Sequence, residues 1–175
     1  LLSVVTTMLD MAKIEAGRYE LLAEPFHISE AVEACRAMLD HSAREKGVTL
    51  TARTNRNLAE VVADRRALQQ VLINLAGNAI KFTPAGGVVS IDATVVAGKL
   101  VITVSDTGIG IAADKLATIG QPFTQIENDL SRQYEGTGLG LVISQELATK
   151  FSGTLSADAP LTGGASFTLS LPVAP

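Results

Sequence analysis

The sequence predicts an α+β fold, a two-layer sandwich in which a mixed β-sheet is covered by helices on one face. Helical and extended segments follow one another in mixed order, without the regular alternation that marks a parallel sheet. Two β-rich runs are separated only by Ala97-Gly98, which indicates an antiparallel hairpin. A stretch rich in glycine and polar residues, from Asp106 to Gly140, is too irregular for one element and is typical of a functional loop.

Local signals place the elements along the chain. Ser29 and Asp64 are suitable N-caps, and Gly47 is a suitable C-terminal stop for the helix that Ser29 begins. In chain order we predict an extended segment at 20–28, a helix at 29–46, strands at 48–53 and 61–63, a helix at 65–82, strands at 88–96 and 99–105, a helix at 141–151, and strands at 153–157 and 165–171.

The composition excludes several classes of protein. The 175 residues suffice for one domain with its own core, and 47% apolar against 18% charged residues are typical of a globular chain. A net charge of -4 argues against a nucleic-acid partner. The single cysteine, Cys35, rules out a disulfide framework and fits a reducing compartment; we expect it to be buried on a helix. No run approaches the roughly 20 apolar residues that span a bilayer.

The first residues are predicted to form an amphipathic helix. Leu1, Val5, Met8 and Ala12 recur at helical spacing, and Gly17 is a suitable end. Because a short helix cannot bury such a stripe by itself, we expect it to pack on a helix outside this sequence. The chain opens inside this helix without a methionine, so we expect it to be a piece of a longer protein.

The helix at 65–82 carries two adjacent faces of different character. At about 100° per residue, Asn74, Asn78 and Lys81 share a narrow arc of about 60° directly beside the apolar arc. Amide oxygens can ligate a hard cation such as Mg²⁺, and an ammonium can bind phosphate. The alternative is a polar rim without function. The apolar arc, predicted to face the core, consists of Leu68, Val71, Leu72, Leu75, Ala79 and Phe82.

Two glycine motifs accompany this helix. Asp106 follows a strand directly, and a carboxylate there can accept from an exocyclic amine, while Gly108 and Gly110 allow the backbone to approach a flat ligand. The alternative is an ordinary strand-ending turn. The run from Gly136 to Leu141 opens a helix, where exposed N–H groups and the helix dipole favour an anion. It is neither a P-loop nor a dinucleotide fingerprint.

Together these motifs resemble the conserved boxes of sensor histidine kinases. Residues 74–83 resemble their N box, 106–110 the G1 box, Pro122-Phe123 the F box and 136–141 the G2 box, in this order and at suitable spacing. Residues 9–17 resemble the end of the second helix of the dimerisation domain. The resemblance implies a Bergerat-type sandwich with a flexible ATP lid. It also implies residues 1–17 as the end of the dimerisation helix, 18–28 as a linker and 29–175 as the catalytic ATP-binding domain.

The resemblance also implies a role for each motif residue. Asp106 would bind the adenine amine, with Gly108 and Gly110 beside it; Asn78 and Asn74 would hold Mg²⁺, and Lys81 would meet phosphate. The remaining nucleotide contacts would come from Gly136, Thr137, Gly138, Leu139 and Gly140.

Residues 111–135 would form the lid over ATP. Phe123 would pack the lid down, or belong to the core, and Arg132 would contact the γ-phosphate, or be a solvated charge.

One residue distinguishes this chain from hydrolysing ATPases of the same broad superfamily, and one residue expected for the histidine kinase family is missing. Gyrase-type, chaperone and mismatch-repair ATPases carry a water-activating Glu where this chain has Asn74, and an amide cannot serve as that base. An ATP-hydrolysing clamp is therefore disfavoured, and a regulatory pseudokinase that only binds nucleotide is the main alternative to a kinase. The family's acceptor histidine is also missing, because neither His27 nor His41 lies in its pattern, and we expect both to be structural or solvent-facing.

The implied partners are ATP, the dimerisation and phosphoacceptor domain of the same protein, and a response-regulator receiver domain. The resemblance implies a homodimeric parent. Because the stripe from Leu1 to Ala12 is too short to form a stable helical bundle without a partner helix, we expect the fragment itself to be a monomer. It implies a cytoplasmic domain, whose parent protein can be membrane-anchored.

Overall fold

The computed structural model describes residues 2–55, 58, 60–119 and 138–173, with side chains described from residue 5 onwards. The helices are α1 (Leu2–Glu15), α2 (Ile28–Lys46), α3 (Arg65–Phe82), α4 (Ala113–Leu116) and α5 (Gly140–Lys150). The strands are β1 (Glu24–His27), β2 (Thr49–Thr54), β3 (Glu60–Ala63), β4 (Val88–Val96), β5 (Lys99–Asp106), β6 (Thr154–Asp158) and β7 (Ala165–Pro172). Most predicted elements are confirmed to within one or two residues. Two differ: β1 occupies only the later part of the extended segment predicted at 20–28, and α4 lies in the stretch predicted to be irregular.

The main sheet is mixed, as predicted. Its five strands run in the order β2-β4-β5-β7-β6, and β2 and β4 are parallel while every other pair is antiparallel. The β4–β5 hairpin turns at Ala97 and Gly98, whose φ angles of 50° and 74° match the twist of the two strands. β1 and β3 form a separate antiparallel pair.

Helices cover one face of this sheet, and no helix of the described ranges packs on the other. Strands β4, β5 and β7 alternate along their length, so that their apolar residues face α2, α3 and α5. The open face carries hydroxyl groups that pair across strands, as Thr103 with Thr168 at 3.3 Å and Ser105 with Ser166 at 3.0 Å. The buried residues on the helix-facing side of these strands are Val89, Ile91, Ala93, Leu100, Ile102, Val104, Ala165, Leu169 and Leu171.

Helix α3 runs through the centre of the helical layer and presents the site. Its first turn is capped by Asp64, whose Oδ1 accepts from the Ala67 N–H at 2.9 Å, as predicted. The second oxygen, Oδ2, accepts from the Leu22 N–H at 2.8 Å and so attaches the segment before β1. Of the predicted core arc, all members are buried except Phe82, which is partly exposed.

Helix α2 begins one residue before the predicted cap. The pairing of β1 with β3 keeps the backbone extended through His27, and burial of Phe26 and Ile28 fixes the chain on both sides of it. The helix therefore starts at Ile28, and Ser29 lies in its first turn rather than at the cap, which is a correction to the prediction. Its end is confirmed, because Gly47 adopts φ 70° after Lys46. Cys35 is buried on this helix, and burial raises the pKa of its thiol to about 12.

Helix α1 contacts α5, and its buried residue lies near its C-terminal end. Ile14 is buried, whereas Val5, Met8 and Leu9 are 49%, 52% and 56% exposed. The predicted apolar stripe is thus uncovered within the described part of the chain, and its packing on an outside helix stays a prediction. No helix in the described ranges is both long and apolar enough to cross a bilayer.

Candidate functional site

Three elements that are distant in sequence meet at one edge of the helical layer. They are the C-terminal half of α3, the turn after β5 and the first turn of α5. The Asn74 Nδ2 donates to the Gly140 carbonyl oxygen at 3.2 Å, which joins α3 to α5. The Ile109 N–H donates to the Phe82 carbonyl oxygen at 3.2 Å, which joins the turn after β5 to the end of α3. The predicted motifs at 74–83, 106–110 and 138–140 are therefore neighbours in space.

Asn74 makes two contacts with α5. Besides the bond to Gly140, its Nδ2 lies 3.4 Å from the Ser144 Oγ, and that hydroxyl donates to the same Gly140 oxygen at 2.8 Å. Because both contacts place the amide nitrogen towards α5, the amide oxygen is the atom left for a ligand. Ser144 is fully buried and was not singled out from the sequence, where a serine within a helix carries no signal.

Asn78 and Lys81 follow Asn74 along the same face of α3, and both are half-buried. Within the described ranges no hydrogen bond to the Asn78 amide is found, so its oxygen is available to a cation. The Lys81 Nζ lies 5.1 Å from the centroid of the Phe82 ring. Burial, and then the neighbouring charge of Lys46, lower the pKa of the Lys81 ammonium. A nearby anion would favour its charged form.

Asp106 ends β5 with one oxygen engaged and the other available. Its Oδ1 accepts from the Gly108 N–H at 2.8 Å and the Ala165 N–H at 3.2 Å. These bonds orient the carboxylate, and no bond to Oδ2 is found among the described residues. Burial raises the pKa of the Asp106 carboxyl, against the opposing effect of the two backbone donors.

Two glycines allow the backbone to close around Asp106. A Cβ at Gly108 would lie 2.3 Å from the Phe82 carbonyl oxygen, and a Cβ at Gly164 would lie 1.8 Å from the Asp106 carbonyl oxygen. Gly164, which also has φ 80°, was missed by the sequence reasoning. The Gly163-Gly164 pair directly before a strand was the available signal.

The first turn of α5 completes the described part of the site. Gly138 has φ 68°, Leu139 occupies the cap position, and Gly140 is the first helical residue. The Leu139 side chain is buried, so a ligand contact at this position would come from its backbone. Predicted ligand residues Gly136, Thr137, Phe123 and Arg132 lie outside the described residues, as do positions 120–135 of the predicted lid.

The two histidines lie on the surface, as predicted. His27 approaches Glu60 at 3.8 Å and His41 approaches Glu45 at 3.5 Å, and the side chains of both histidines are more than half exposed.

These groups fit a nucleotide bound to a divalent cation. The free oxygen of Asp106 can accept from an exocyclic amine beside a backbone surface that glycines keep open. Amide oxygens on α3 can complete the oxygen shell of Mg²⁺, whose other ligands are commonly phosphates and water. Lys81 and the N-terminal turn of α5 provide positive charge for the phosphates.

Known proteins resemble this chain over most of its length. The profile of the family described as histidine kinase-, DNA gyrase B- and HSP90-like ATPases matches residues 63–175. An uncharacterized sensor-like histidine kinase of Rhizobium meliloti is 64% identical over 156 residues, which are 89% of this chain and 30% of the relative. The histidine protein kinase DivJ of Caulobacter vibrioides is 39% identical over 173 residues, which are 99% of this chain and 29% of the relative.

A solved structure agrees with these sequence relatives. The crystal structure of full-length ShkA in complex with AMPPNP matches with a TM-score of 0.88 at 33% identity, over 99% of this chain and 36% of that one. This chain therefore spans about a third or less of the length of each of these relatives.

Proposed function

Because the chain belongs to the family of histidine kinase-, DNA gyrase B- and HSP90-like ATPases, as the catalytic ATP-binding domain of a sensor histidine kinase, we propose that it transfers the γ-phosphoryl group of Mg-ATP to a histidine. That histidine would lie on the dimerisation domain of the same parent protein. The observation that carries the proposal is the meeting of α3, Asp106 and the first turn of α5 at one edge, through the bonds Asn74–Gly140 and Ile109–Phe82.

Asp106 selects the base in this proposal. Its Oδ1 is held by two backbone donors, so Oδ2 presents a fixed acceptor to the exocyclic amine of adenine. Guanine has a carbonyl at the corresponding position, and two acceptors would face each other. Adenine is therefore preferred over guanine.

The α3 amides and the first turn of α5 position the phosphates. Asn78 and Asn74 would hold Mg²⁺ through their oxygens, and the bound ion would neutralise phosphate charge. Lys81, with Gly136, Thr137, Gly138 and Gly140, would contact the phosphate oxygens. Phe123 and Arg132 are proposed to close the site, as the resemblance implies.

The acceptor comes from outside the site. An imidazole nitrogen attacks the γ-phosphorus and forms an N–P bond, while the bond from the γ-phosphorus to the β–γ bridging oxygen breaks. ADP leaves with the electron pair of that bond, and the other ring nitrogen releases its proton to solvent. Positioning and charge neutralisation suffice for this step. Because Asn74 occupies the place of the water-activating Glu in hydrolysing relatives, water lacks a base and competes poorly.

In this proposal the chain is one part of a longer parent protein. Residues 1–17 are the end of a dimerisation helix, 18–28 a linker and 29–175 the catalytic domain. The parent forms a homodimer, and its phosphohistidine passes the group to an aspartate of a response-regulator receiver domain. The catalytic domain works on the cytoplasmic side, whether or not the parent is anchored in a membrane.

The proposal is tested by adding a separate fragment of the parent that carries the acceptor histidine, together with γ-labelled ATP. We expect acid-labile, base-stable label on the acceptor fragment, and loss of that label when its histidine is replaced. Bound nucleotide without transfer would identify a regulatory binding module. Rapid release of free phosphate would identify a hydrolase. Either of these two results would overturn the proposal.

A further inference from the structure

We propose that Asn74 and Ser144 are positioning residues that hold the first turn of α5 at a set place along α3. Through this link, the phosphate-facing turn and the cation-binding amides of α3 keep the spacing that phosphoryl transfer needs. The inference deepens the proposed function and rests on it, because the spacing matters only if phosphates bind there.

The link consists of two side-chain donors that share one carbonyl oxygen. The Gly140 carbonyl oxygen accepts from the Asn74 Nδ2 at 3.2 Å and from the Ser144 Oγ at 2.8 Å. The Ser144 Oγ also lies 3.4 Å from the Asn74 Nδ2, and since its proton points to Gly140, its lone pairs are free to accept. The three contacts support one another, because each orients the groups that make the other two.

This polar link sits in a contact that is otherwise apolar. The face of α5 that carries Ser144 also buries Ile143, Leu147 and Ala148, and Ser144 itself has no exposed surface. Alanine at this position would fill the same space without the cost of burying a hydroxyl. Apolar contacts alone tolerate a slip of one helix along another by one turn, about 5.4 Å. A hydrogen-bonded polar group among apolar side chains therefore specifies the register of α5 along α3 rather than adding stability.

The link stands between the two halves of the phosphate site. Asn78 lies one helical turn beyond Asn74, about 6 Å along α3. Gly138 and Gly140 lie at the start of α5, directly beside the linked carbonyl. Any shift of α5 along α3 would therefore change the distance between cation-binding oxygens and phosphate-facing N–H groups.

The base pocket is held by different contacts. Asp106 is fixed by Gly108 and Ala165, and its turn is attached to the end of α3 through Ile109 and Phe82. None of these bonds involves α5. Loss of the link should therefore weaken the binding of phosphates and leave the binding of the base unchanged, a separation that general loss of folding would not produce.

The link also gives a reason for the amide at position 74. Aspartate has nearly the same shape, but a carboxylate cannot donate to the Gly140 oxygen and would repel it. Glutamate, the residue of hydrolysing relatives, has the same defect and one more methylene. Asn74 thus donates a hydrogen bond to α5, and as an amide it cannot serve as the base that would activate water.

The test compares Ser144→Ala and Asn74→Asp with Thr149→Ala. Thr149 makes the same type of bond, its Oγ1 to the Gln145 carbonyl oxygen at 3.0 Å, but it is exposed and no hydrogen bond joins it to α3 in the described ranges, so it is a matched control. Calorimetry measures the affinities for Mg-ATP and for adenosine. Hydrogen exchange measures the protection of the α5 amides, and steady-state transfer to the acceptor fragment gives kcat and KM.

We expect Ser144→Ala to lower the affinity for Mg-ATP by about tenfold, because a buried hydrogen-bond network is lost. The affinity for adenosine should be unchanged. In Asn74→Asp the donor to Gly140 is lost while an oxygen for the cation is kept, so the exchange of the first α5 turn should rise as in Ser144→Ala. In Ser144→Ala the amides of the first α5 turn should exchange faster, and kcat should fall because the phosphates are misplaced when bound. Thr149→Ala should match the wild type in every measurement.

Two results would overturn the inference. One is an unchanged Mg-ATP affinity in Ser144→Ala. The other is an equal loss of both affinities, which would indicate a general structural role. If the wild-type chain bound no nucleotide, the proposed function would fail; the exchange measurement would still distinguish Ser144→Ala from Thr149→Ala and so report on the link itself.

Discussion

At the scale of single residues, Asp106 combines orientation with partial burial. Two backbone N–H groups hold its Oδ1, while Oδ2 remains available. In Asp106→Asn, the amide oxygen can keep the backbone bonds and the NH₂ group then faces the base. We expect weaker ATP binding and a reduced preference for ATP over GTP, because adenine meets a donor where it needs an acceptor. Competition binding with both nucleotides checks this; an unchanged preference would show that the base is read elsewhere.

The burial of Asp106 predicts a pH dependence of binding. Because burial raises the pKa of this carboxyl, protonation begins at a higher pH than for an ordinary aspartate. The ionised form accepts a hydrogen bond from the adenine amine. The affinity for adenosine is therefore highest above the raised pKa and falls as the pH decreases through it. For the fold the sign is opposite: the folded state takes up the proton more readily, so this group favours folding more at low pH. Adenosine titrations against pH, with Asp106→Asn as the control lacking the transition, test the prediction.

Asn78 is the site amide without a hydrogen-bond partner in the described ranges. Its replacement by alanine should abolish phosphoryl transfer and remove most of the Mg²⁺ dependence of ATP binding, because a cation ligand is lost. The fold should survive, since the side chain lies at the edge of the core. Calorimetry with and without Mg²⁺, together with a thermal melt, measures both effects. Unchanged Mg-ATP affinity would contradict the assignment of this residue.

At the scale of elements, Asp64 joins the start of α3 to the segment before β1. It caps the helix through Ala67 and also accepts from the Leu22 N–H, at 7% exposure. We expect Asp64→Ala to lower the free energy of unfolding by about 2–3 kcal/mol, about 1 kcal/mol for the cap and the rest for the Leu22 N–H left without a partner. Asp64→Ser can keep the cap and should lose less. Urea unfolding of both variants measures the difference, and equal losses would assign the whole effect to Leu22.

Element boundaries show how far local signals reach. Helix α3 begins and ends at the predicted residues, because a side-chain cap and a Thr83-Pro84 stop act within a few positions. The start of α2 was missed by one residue, because the extended pairing of β1 with β3, a contact between segments far apart in sequence, overrides the capping preference of Ser29.

At the scale of the whole molecule, the chain has the groups expected of a nucleotide site, and neither of its two histidines lies in the acceptor pattern of the family. His27 and His41 are exposed on the surface and pair with glutamates. Incubated alone with Mg-ATP, the chain should bind nucleotide, gain no phosphohistidine and release phosphate slowly, because the site has no base for water. Gel autoradiography with acid and base treatment, and a phosphate-release assay, check this. Base-stable label on His27 or His41, or brisk release that vanishes in an Asn74 variant, would contradict it.

The oligomeric state of the isolated chain is also a property of the whole molecule. The exposed apolar residues Val5, Met8 and Leu9 lie on a helix of 14 residues, too short to rebuild a stable bundle without a partner helix. The isolated chain is therefore expected to remain monomeric in dilute solution.

The sequence by itself determined the elements, the buried arc of α3, the hairpin at Ala97-Gly98 and the family resemblance. These follow from periodicity, capping and turn chemistry, which act over a few residues and can be read along the chain. Only the tertiary structure decided what joins the motifs to one another. Asn74 meets Gly140 across 66 residues, Asp106 meets Ala165 across 59, and Leu22 meets Asp64 across 42. No local pattern encodes such bonds, because their partners come together only when burial of the shared core has brought distant segments into contact.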